Sequence, residues 1–284
     1  MQLTTSDLLA RGTALLGPLP ELPALDAGIL LAFSLGVPRV RLKSHPEEVR
    51  TSADVERYLA LIERRAQGEP LAYITGRREF WTLELRVTRD VLVPRPETEL
   101  LVERALTLCA APTARVADLG TGSGAIALAL AVERPAWEIV AIDASAAALG
   151  IAADNARRLG LINVTFQSSH WFSALEGERF DLVVSNPPYV DARDPALEAL
   201  RYEPRQALTP GEDALAALRA IIHEAPEHLH AGGWLALEHG ATQAAAVAHE
   251  LVACGFGSVR SYRDLGGHER VTEGQRIQDR AISS

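Results

Sequence analysis

Ser185-Asn186-Pro187-Pro188-Tyr189 directly follows a short apolar run, Asp181 to Val184, and carries the most specific chemistry in this sequence. Two consecutive prolines end a strand because each removes a backbone donor, and their restricted dihedrals fix the direction of Asn186 and Tyr189. The backbone carbonyls of Asn186 and Pro187 are then left without local partners, next to a side-chain carbonyl and an aromatic face. Acceptors grouped in this way suit an exocyclic amine or a primary amide. Such a nitrogen is a poor nucleophile, since its lone pair is delocalised, so a catalyst must orient it and favour charge leaving it. The Asn186 side-chain oxygen and the Pro187 carbonyl are the expected acceptors for its two N–H bonds. Pro188 stiffens the turn and Tyr189 packs on the planar group. No base is needed beforehand, because the proton can leave after the nitrogen has reacted, and no His/Asp or Cys/His constellation stands nearby. The plainer reading of the same residues is a rigid turn.

A second candidate site is Asp118-Leu119-Gly120-Thr121-Gly122-Ser123-Gly124, which closes one strand and opens a helix. Its glycines let the backbone turn tightly and approach a ligand closely. The loop reads GxGxG, whereas a dinucleotide fingerprint reads GxGxxG, so a nicotinamide enzyme is the second reading of this loop taken alone. Asp143 ends the next strand, where its carboxylate can accept both hydroxyl hydrogens of a ribose, a geometry that suits any adenosine ligand. Capping the helix that follows is a compatible, simpler role for it.

Both sites require elements that bring them together. After Pro94 strands alternate with helices: strand Arg115 to Leu119, helix Ala125 to Glu133, strand Glu138 to Ile142, helix Ser145 to Leu159, strand Val164 to Gln167. Strands Asp181 to Ser185 and Trp234 to Glu238 follow, with helices Ala214 to Leu229 and Thr242 to Cys254. This rhythm predicts a largely parallel sheet covered on both faces, with ligands at the carboxyl ends of its strands. Asp118, Asp143 and Asn186 all fall at such ends. From Thr4 to Gly68 apolar residues recur at helical spacing, interrupted at Gly17-Pro18-Leu19-Pro20, Gly36-Val37-Pro38 and Ser44-His45-Pro46, which predicts four or five helices. Leu83, Leu85 and Val87 alternate with polar residues and Val91 to Val93 forms another extended run, so a β-hairpin over residues 79–93 is expected between the helices and the sheet.

Composition removes several function classes. With 284 residues, two domains are the expectation. The longest apolar runs are too short to span a bilayer and no basic residue precedes the first leucines, so the chain reads as soluble, unexported and cytoplasmic, with no membrane partner. Two isolated cysteines, Cys109 and Cys254, argue against a disulfide framework or zinc site, and His223, His228 and His230 read as helix-end histidines, so no metal is expected. A formal net charge of −9 makes nucleic acid an unlikely partner.

Taken together, the two sites resemble those of the release-factor glutamine methyltransferases, the HemK-type branch of the class I methyltransferases, over nearly the whole chain. The resemblance extends to Glu69-Pro70-Leu71-Ala72-Tyr73-Ile74-Thr75-Gly76, Phe80-Trp81, Val93-Pro94-Arg95-Pro96-Glu97-Thr98-Glu99, Leu237-Glu238-His239-Gly240 and Glu269-Arg270-Val271. Asn-Pro-Pro-Tyr alone also admits nucleic-acid amine methyltransferases, and a sister branch methylates glutamine in a ribosomal protein; the helical leader and the Pro96 to Glu99 continuation favour release factors. A non-catalytic adapter built on the same sheet ranks below these, because both halves of a reaction site are retained.

The resemblance implies an α/β fold with a Rossmann-like class I sheet, a helical substrate-recognition domain over residues 1–78, a linking hairpin over 79–93 and a methyltransferase domain over 94–284. It further implies S-adenosylmethionine as cofactor and the glutamine of a Gly-Gly-Gln motif as substrate. Gly120, Thr121, Gly122, Ser123 and Gly124 would hold the methionine part of the cofactor, Asp143 the ribose and Trp171 the adenine. Asn186, which also borders the cofactor, would hold the glutamine together with Pro187, Pro188 and Tyr189. One departure is present. Ser168-Ser169-His170 stands where the family commonly has an acidic residue for the adenine amine, leaving that contact to a neutral His170 or a backbone carbonyl. Arg95 and Glu97 fit a pocket lining or a salt bridge between domains equally well.

Overall fold

The structure, a computed structural model, describes residues 3–17 and 22–277. It divides into two compact units, Met1–Arg77 and Arg78–Ser284. The first is helical: α1 (Thr5–Leu16), α2 (Pro23–Leu35), α3 (Arg39–Ser44), α4 (Ser52–Ala66) and α5 (Leu71–Thr75). Thr4 and Thr51 start α1 and α4 with reciprocal capping boxes to Asp7 and Asp54, which satisfies the first free N–H groups of each helix. Leu8, Leu16, Leu30, Leu31, Tyr58 and Ile62 form a core belonging to this unit alone. Pro18 to Pro20, expected as a turn, lie outside the described residues.

The hairpin forms earlier in the chain than the alternation predicts. β1 (Arg77–Phe80) pairs with β2 (Leu83–Arg86), and Val91 to Val93 joins no strand. Val91 and Val93 are buried, but side chains satisfy their surroundings in place of a ladder. Thr88 and Asp90 close a local turn, the Val93 N–H donates to Glu203 Oε2 at 3.0 Å, and Pro94 has no donor to offer. Trp81 supports the tight connection, although its φ of +55° lies where non-glycine residues are strained. Its backbone N–H donates to Glu99 at 2.8 Å and its indole N–H to Glu133 at 2.7 Å.

Beyond the hairpin come α6 (Glu99–Leu108), β3 (Arg115–Leu119), α7 (Ala125–Glu133), β4 (Glu138–Asp143), α8 (Ala146–Leu159), β5 (Val164–Ser168) and β6 (Phe180–Ser185). They are followed by α9 (Ala196–Ala199), α10 (Ala216–His228), β7 (Leu229–Glu238), α11 (Ala244–Ala253), β8 (Phe256–Arg263) and β9 (Glu269–Arg276). The sheet order is β5-β4-β3-β6-β7-β9-β8. The first five strands pair in parallel, and β9 lies antiparallel to both β7 and β8.

Burial on both faces explains the apolar central strands. Along β3, Val116 packs with Leu182 and Val184 on one side of the sheet, while Ala117 and Leu119 pack with Val183 and Leu235 on the other. The chain reverses its strand order between β3 and β6, the position where doubly wound sheets open a crevice. Ser185 ties the two strand ends across it, its hydroxyl donating to the Leu119 carbonyl at 2.6 Å.

Candidate active site

A cavity of about 450 Å³ opens at this reversal, within the range of small-molecule sites. Six residues expected at the site line it: Gly120, Gly122, Asp143, Trp171, Asn186 and Pro188. Thr121, Ser123, Gly124, Pro187 and Tyr189 are not among its lining residues. Asp90 to Leu92 with Gln206, Ala207, Thr209 and Pro210 supply much of the remaining wall, together with Ser169 and His170, which occupy the place of the missing acidic residue.

The glycine loop takes its shape from two carboxylates. Asp118, wholly buried at the end of β3, accepts from the Thr121 hydroxyl at 2.7 Å and from the Ala127 N–H at 3.1 Å through Oδ2, and so pins the loop to the start of α7. Its Oδ1 has no partner. Burial outweighs the two hydrogen bonds and, with the nearby Asp143 charge, pushes its pKa up to about 7. Asp143 holds the loop from the other side, accepting from the Gly122 N–H at 2.9 Å and the Ser145 N–H at 2.8 Å. It is therefore a loop anchor that also holds Ser145, whose hydroxyl caps α8 in place of the Asp143 expected there by accepting from the Ala148 N–H at 3.2 Å; Asp143 lines the cavity and has acceptor capacity beyond its two bonds. Glycine is required at position 124, where φ is +85° and a Cβ would meet Leu128 Cδ1 at 3.0 Å and Ala152 Cβ at 3.2 Å. Across the cavity Trp171 adopts a φ of +48°, an uncommon conformation for a bulky residue and one that clusters at binding sites.

The Asn186 segment is held by residues far away in sequence. Asn186 Nδ2 donates to Thr98 Oγ1 at 3.1 Å, and Gln243 Nε2 donates to the Tyr189 carbonyl at 3.1 Å. The Tyr189 hydroxyl donates to Glu238 Oε1 at 3.3 Å. Glu238 is 1% exposed, and burial pushes its pKa up to about 7 against the hydroxyls of Thr98 and Tyr189, which favour the ionised form. Its Oε2 has no hydrogen-bond partner. Beside it His239 is buried, its pKa lowered by burial, with Nε2 at 2.7 Å from Thr272 Oγ1.

Thr98 and Glu238 lie in stretches that the sequence marks by resemblance, but nothing in their spacing reveals that the one meets Asn186 and the other Tyr189. Arg95 pairs with Glu203 inside the C-terminal unit, and Glu97 is exposed. Of the three histidines read as helix-end residues, His223 and His228 lie in α10 and His230 in β7; the strand begins earlier than expected because Leu229 pairs with Phe180. Among the described residues no group of three or more His, Cys, Asp or Glu side chains is placed to hold a metal ion. None of the helices there is long and apolar enough to cross a membrane.

Comparison with known proteins gives one consistent picture. The family described as PrmC N-terminal domain matches residues 7–76, and the family described as Methyltransferase small domain matches residues 96–215. A release factor glutamine methyltransferase of Pseudomonas aeruginosa is 51% identical over 90% of this chain and 95% of that relative. The protein of the same name from Escherichia coli is 44% identical over 91% and 94%. Among solved structures, a methyltransferase from Pyrococcus furiosus shares the fold with a TM-score of 0.54 at 17% identity, over 76% of this chain and 98% of that one. At this level of identity and coverage the chain belongs to the release factor glutamine methyltransferase family, and it is an enzyme with a class I methyltransferase fold.

Proposed function

We propose that this protein transfers a methyl group from S-adenosylmethionine to the side-chain amide nitrogen, N5, of the glutamine in the Gly-Gly-Gln motif of peptide chain release factors. The observation that carries the reading is the convergence, on one cavity at the sheet reversal, of the glycine loop, Asp143 and Trp171 with Asn186 and Pro188.

The residues present fit the cofactor. Gly120 and Gly122, both at positive φ, keep the loop free of side chains at the cavity wall. Asp143 retains acceptor capacity for ribose hydroxyls. Trp171 offers an apolar face for the adenine, with Ser169 and His170 in place of an acidic contact. S-adenosylmethionine supplies an electrophilic methyl carbon on a sulfonium centre.

The protein's own task is to make an amide nitrogen available to that carbon. Asn186 Oδ1 and the Pro187 carbonyl accept from the two N–H bonds of the glutamine, fixing the direction of the nitrogen and drawing positive charge away from it as it reacts. Tyr189, anchored through its hydroxyl to Glu238, supplies an apolar face for the amide plane. The prolines hold these groups at low entropic cost. The surplus proton leaves after transfer, so no prior base is required.

The helical unit, which has a core of its own, serves to recognise the release factor. A modifier of translation factors works in the cytoplasm, and the reading places this protein there. The test is incubation with methyl-labelled S-adenosylmethionine and, in parallel, release factor, ribosomal proteins, DNA and RNA. Label in release factor alone supports the reading; label in ribosomal protein or nucleic acid with none in release factor overturns it.

A further inference from the structure

The chain leaves β6 through two prolines that donate no backbone hydrogen bond, and the ladder between β6 and β7 ends at Ser185 and Leu237. Beyond that point the place of Tyr189 depends on side chains. We propose that Gln243 is a positioning residue for methyl transfer, holding the Tyr189 end of the Asn-Pro-Pro-Tyr turn so that its ring stays on the plane of the substrate amide. The proposal rests on the reading of Asn186 to Tyr189 as the glutamine site.

Gln243 stands at the start of α11, yet its side chain makes no capping bond to that helix. It bridges two stretches of backbone instead. Its Oε1 accepts from the Gly240 N–H at 2.8 Å, and its Nε2 donates to the Tyr189 carbonyl at 3.1 Å. A backbone N–H can only donate and a carbonyl can only accept, so these two partners leave one orientation open to the carboxamide. Room for it comes from Gly240, where a Cβ would meet Gln243 Oε1 at 3.0 Å and Tyr189 Cδ2 at 3.6 Å. The bridge thus ties the residue that follows the prolines to the connection between β7 and α11.

The two ends of the turn are held separately. At the first, the Ser185 hydroxyl donates to the Leu119 carbonyl at 2.6 Å and Asn186 Nδ2 donates to Thr98 Oγ1 at 3.1 Å. At the second stand the Gln243 bridge, the Val190 N–H donating to the Leu208 carbonyl at 2.9 Å, and the longer bond from the Tyr189 hydroxyl to Glu238 at 3.3 Å. Breaking the bridge therefore loosens Tyr189 while the bonds that place Asn186 remain. The start of α11 also keeps its backbone bonds, from the Gln243 N–H to the Gly240 carbonyl and from the Val247 N–H to the Gln243 carbonyl.

The experiment measures kcat on release factor, Kd for S-adenosylmethionine and thermal unfolding for Gln243→Glu, Gln243→Met, Tyr189→Ala and the Gln243→Glu/Tyr189→Ala double variant. Glutamate keeps the length of the side chain and the bond from the Gly240 N–H, but as a carboxylate it has no proton for the Tyr189 carbonyl; methionine removes both bonds at similar length. The expected result is a loss in kcat of about tenfold for each, with cofactor affinity held within about twofold. In the Tyr189→Ala background the glutamate should lower kcat no further, because the ring that Gln243 positions is gone. A purely structural role predicts a loss of equal size in both backgrounds, or an equal loss in cofactor affinity. Either outcome, or full activity in a folded Gln243 variant, overturns the proposal while leaving the Asn186 clamp intact. Full activity in Tyr189→Ala removes the role of the ring and the proposal with it, and a release factor left unmethylated by the parent removes the functional reading itself.

Discussion

Replacing Asp143 with alanine tests the cofactor half of the site, and the structure separates the two effects expected. Asp143 accepts from the Gly122 N–H at 2.9 Å and from the Ser145 N–H at 2.8 Å. Alanine leaves both donors to water, and since Asp143 is only partly buried the loss of stability should be ~1–2 kcal/mol. In the complex the variant also lacks the acceptor for the ribose hydroxyls. Two charge-assisted hydrogen bonds are worth ~1.5–3 kcal/mol each, and water partly replaces them, so a net loss of ~3 kcal/mol, or roughly 10²-fold in Kd, is expected. Calorimetric titration of the folded variant with S-adenosylmethionine reads this directly, and urea unfolding of the ligand-free protein reads the first effect. An unchanged Kd in a folded variant would mean that Asp143 only anchors the loop and holds Ser145, and the ribose assignment would fall. A weakened Kd with unchanged stability would instead refute the claim that Asp143 holds the glycine loop.

Asn186→Ala should bind cofactor with nearly parental affinity and turn over ~10²–10³-fold more slowly, a loss confined to the transition state that single-turnover kinetics can check. Asp118 has its pKa raised from 3.8 to about 7 in the folded protein, so folding favours its protonated form; its contribution is most favourable at acid pH and is lost as pH rises from about 4 to about 7. Ionisation there costs on the order of 4 kcal/mol, so the stability of Asp118→Asn relative to the parent should rise between pH 5 and pH 8, and a constant difference in urea unfolding would refute this. A fragment beginning at Arg78, which keeps the sheet and its two faces of core, should fold and bind S-adenosylmethionine yet methylate intact release factor far more slowly; a fully active fragment would refute the recognition role of the helices.

The alternating centre of the fold was legible because burial leaves little choice. β3 and α7 coincide with the expected Arg115 to Leu119 and Ala125 to Glu133, each buried almost throughout. β8 and β9 were not expected: their sequences, Phe-Gly-Ser-Val-Arg-Ser-Tyr-Arg and Glu-Arg-Val-Thr-Glu-Gly-Gln-Arg, are polar and broken by register shifts. β9 keeps buried polar residues because partners satisfy them, as when Glu273 receives Arg104 and Tyr262. α6 was hidden by the prolines before it, which draw attention to the turn instead of the helix it starts. At the site, Gly120, Gly122, Asp143, Asn186 and Pro188, which the sequence ties to a glycine turn or a strand end, line the cavity, whereas their neighbours Thr121, Ser123, Gly124, Pro187 and Tyr189 do not. Thr98 and Glu238 could not be read this way, since their bonds to Asn186 and Tyr189 join residues far apart in sequence.

The central claim is a new N–CH₃ bond on one side-chain amide, and fragmentation mass spectrometry of release factor after incubation with the protein and S-adenosylmethionine measures it directly. The account predicts one added methyl on the glutamine of the Gly-Gly-Gln peptide, absent when Asn186→Ala replaces the parent at equal time. A methyl on any other residue, or an unmodified peptide while the protein binds S-adenosylmethionine, would contradict it.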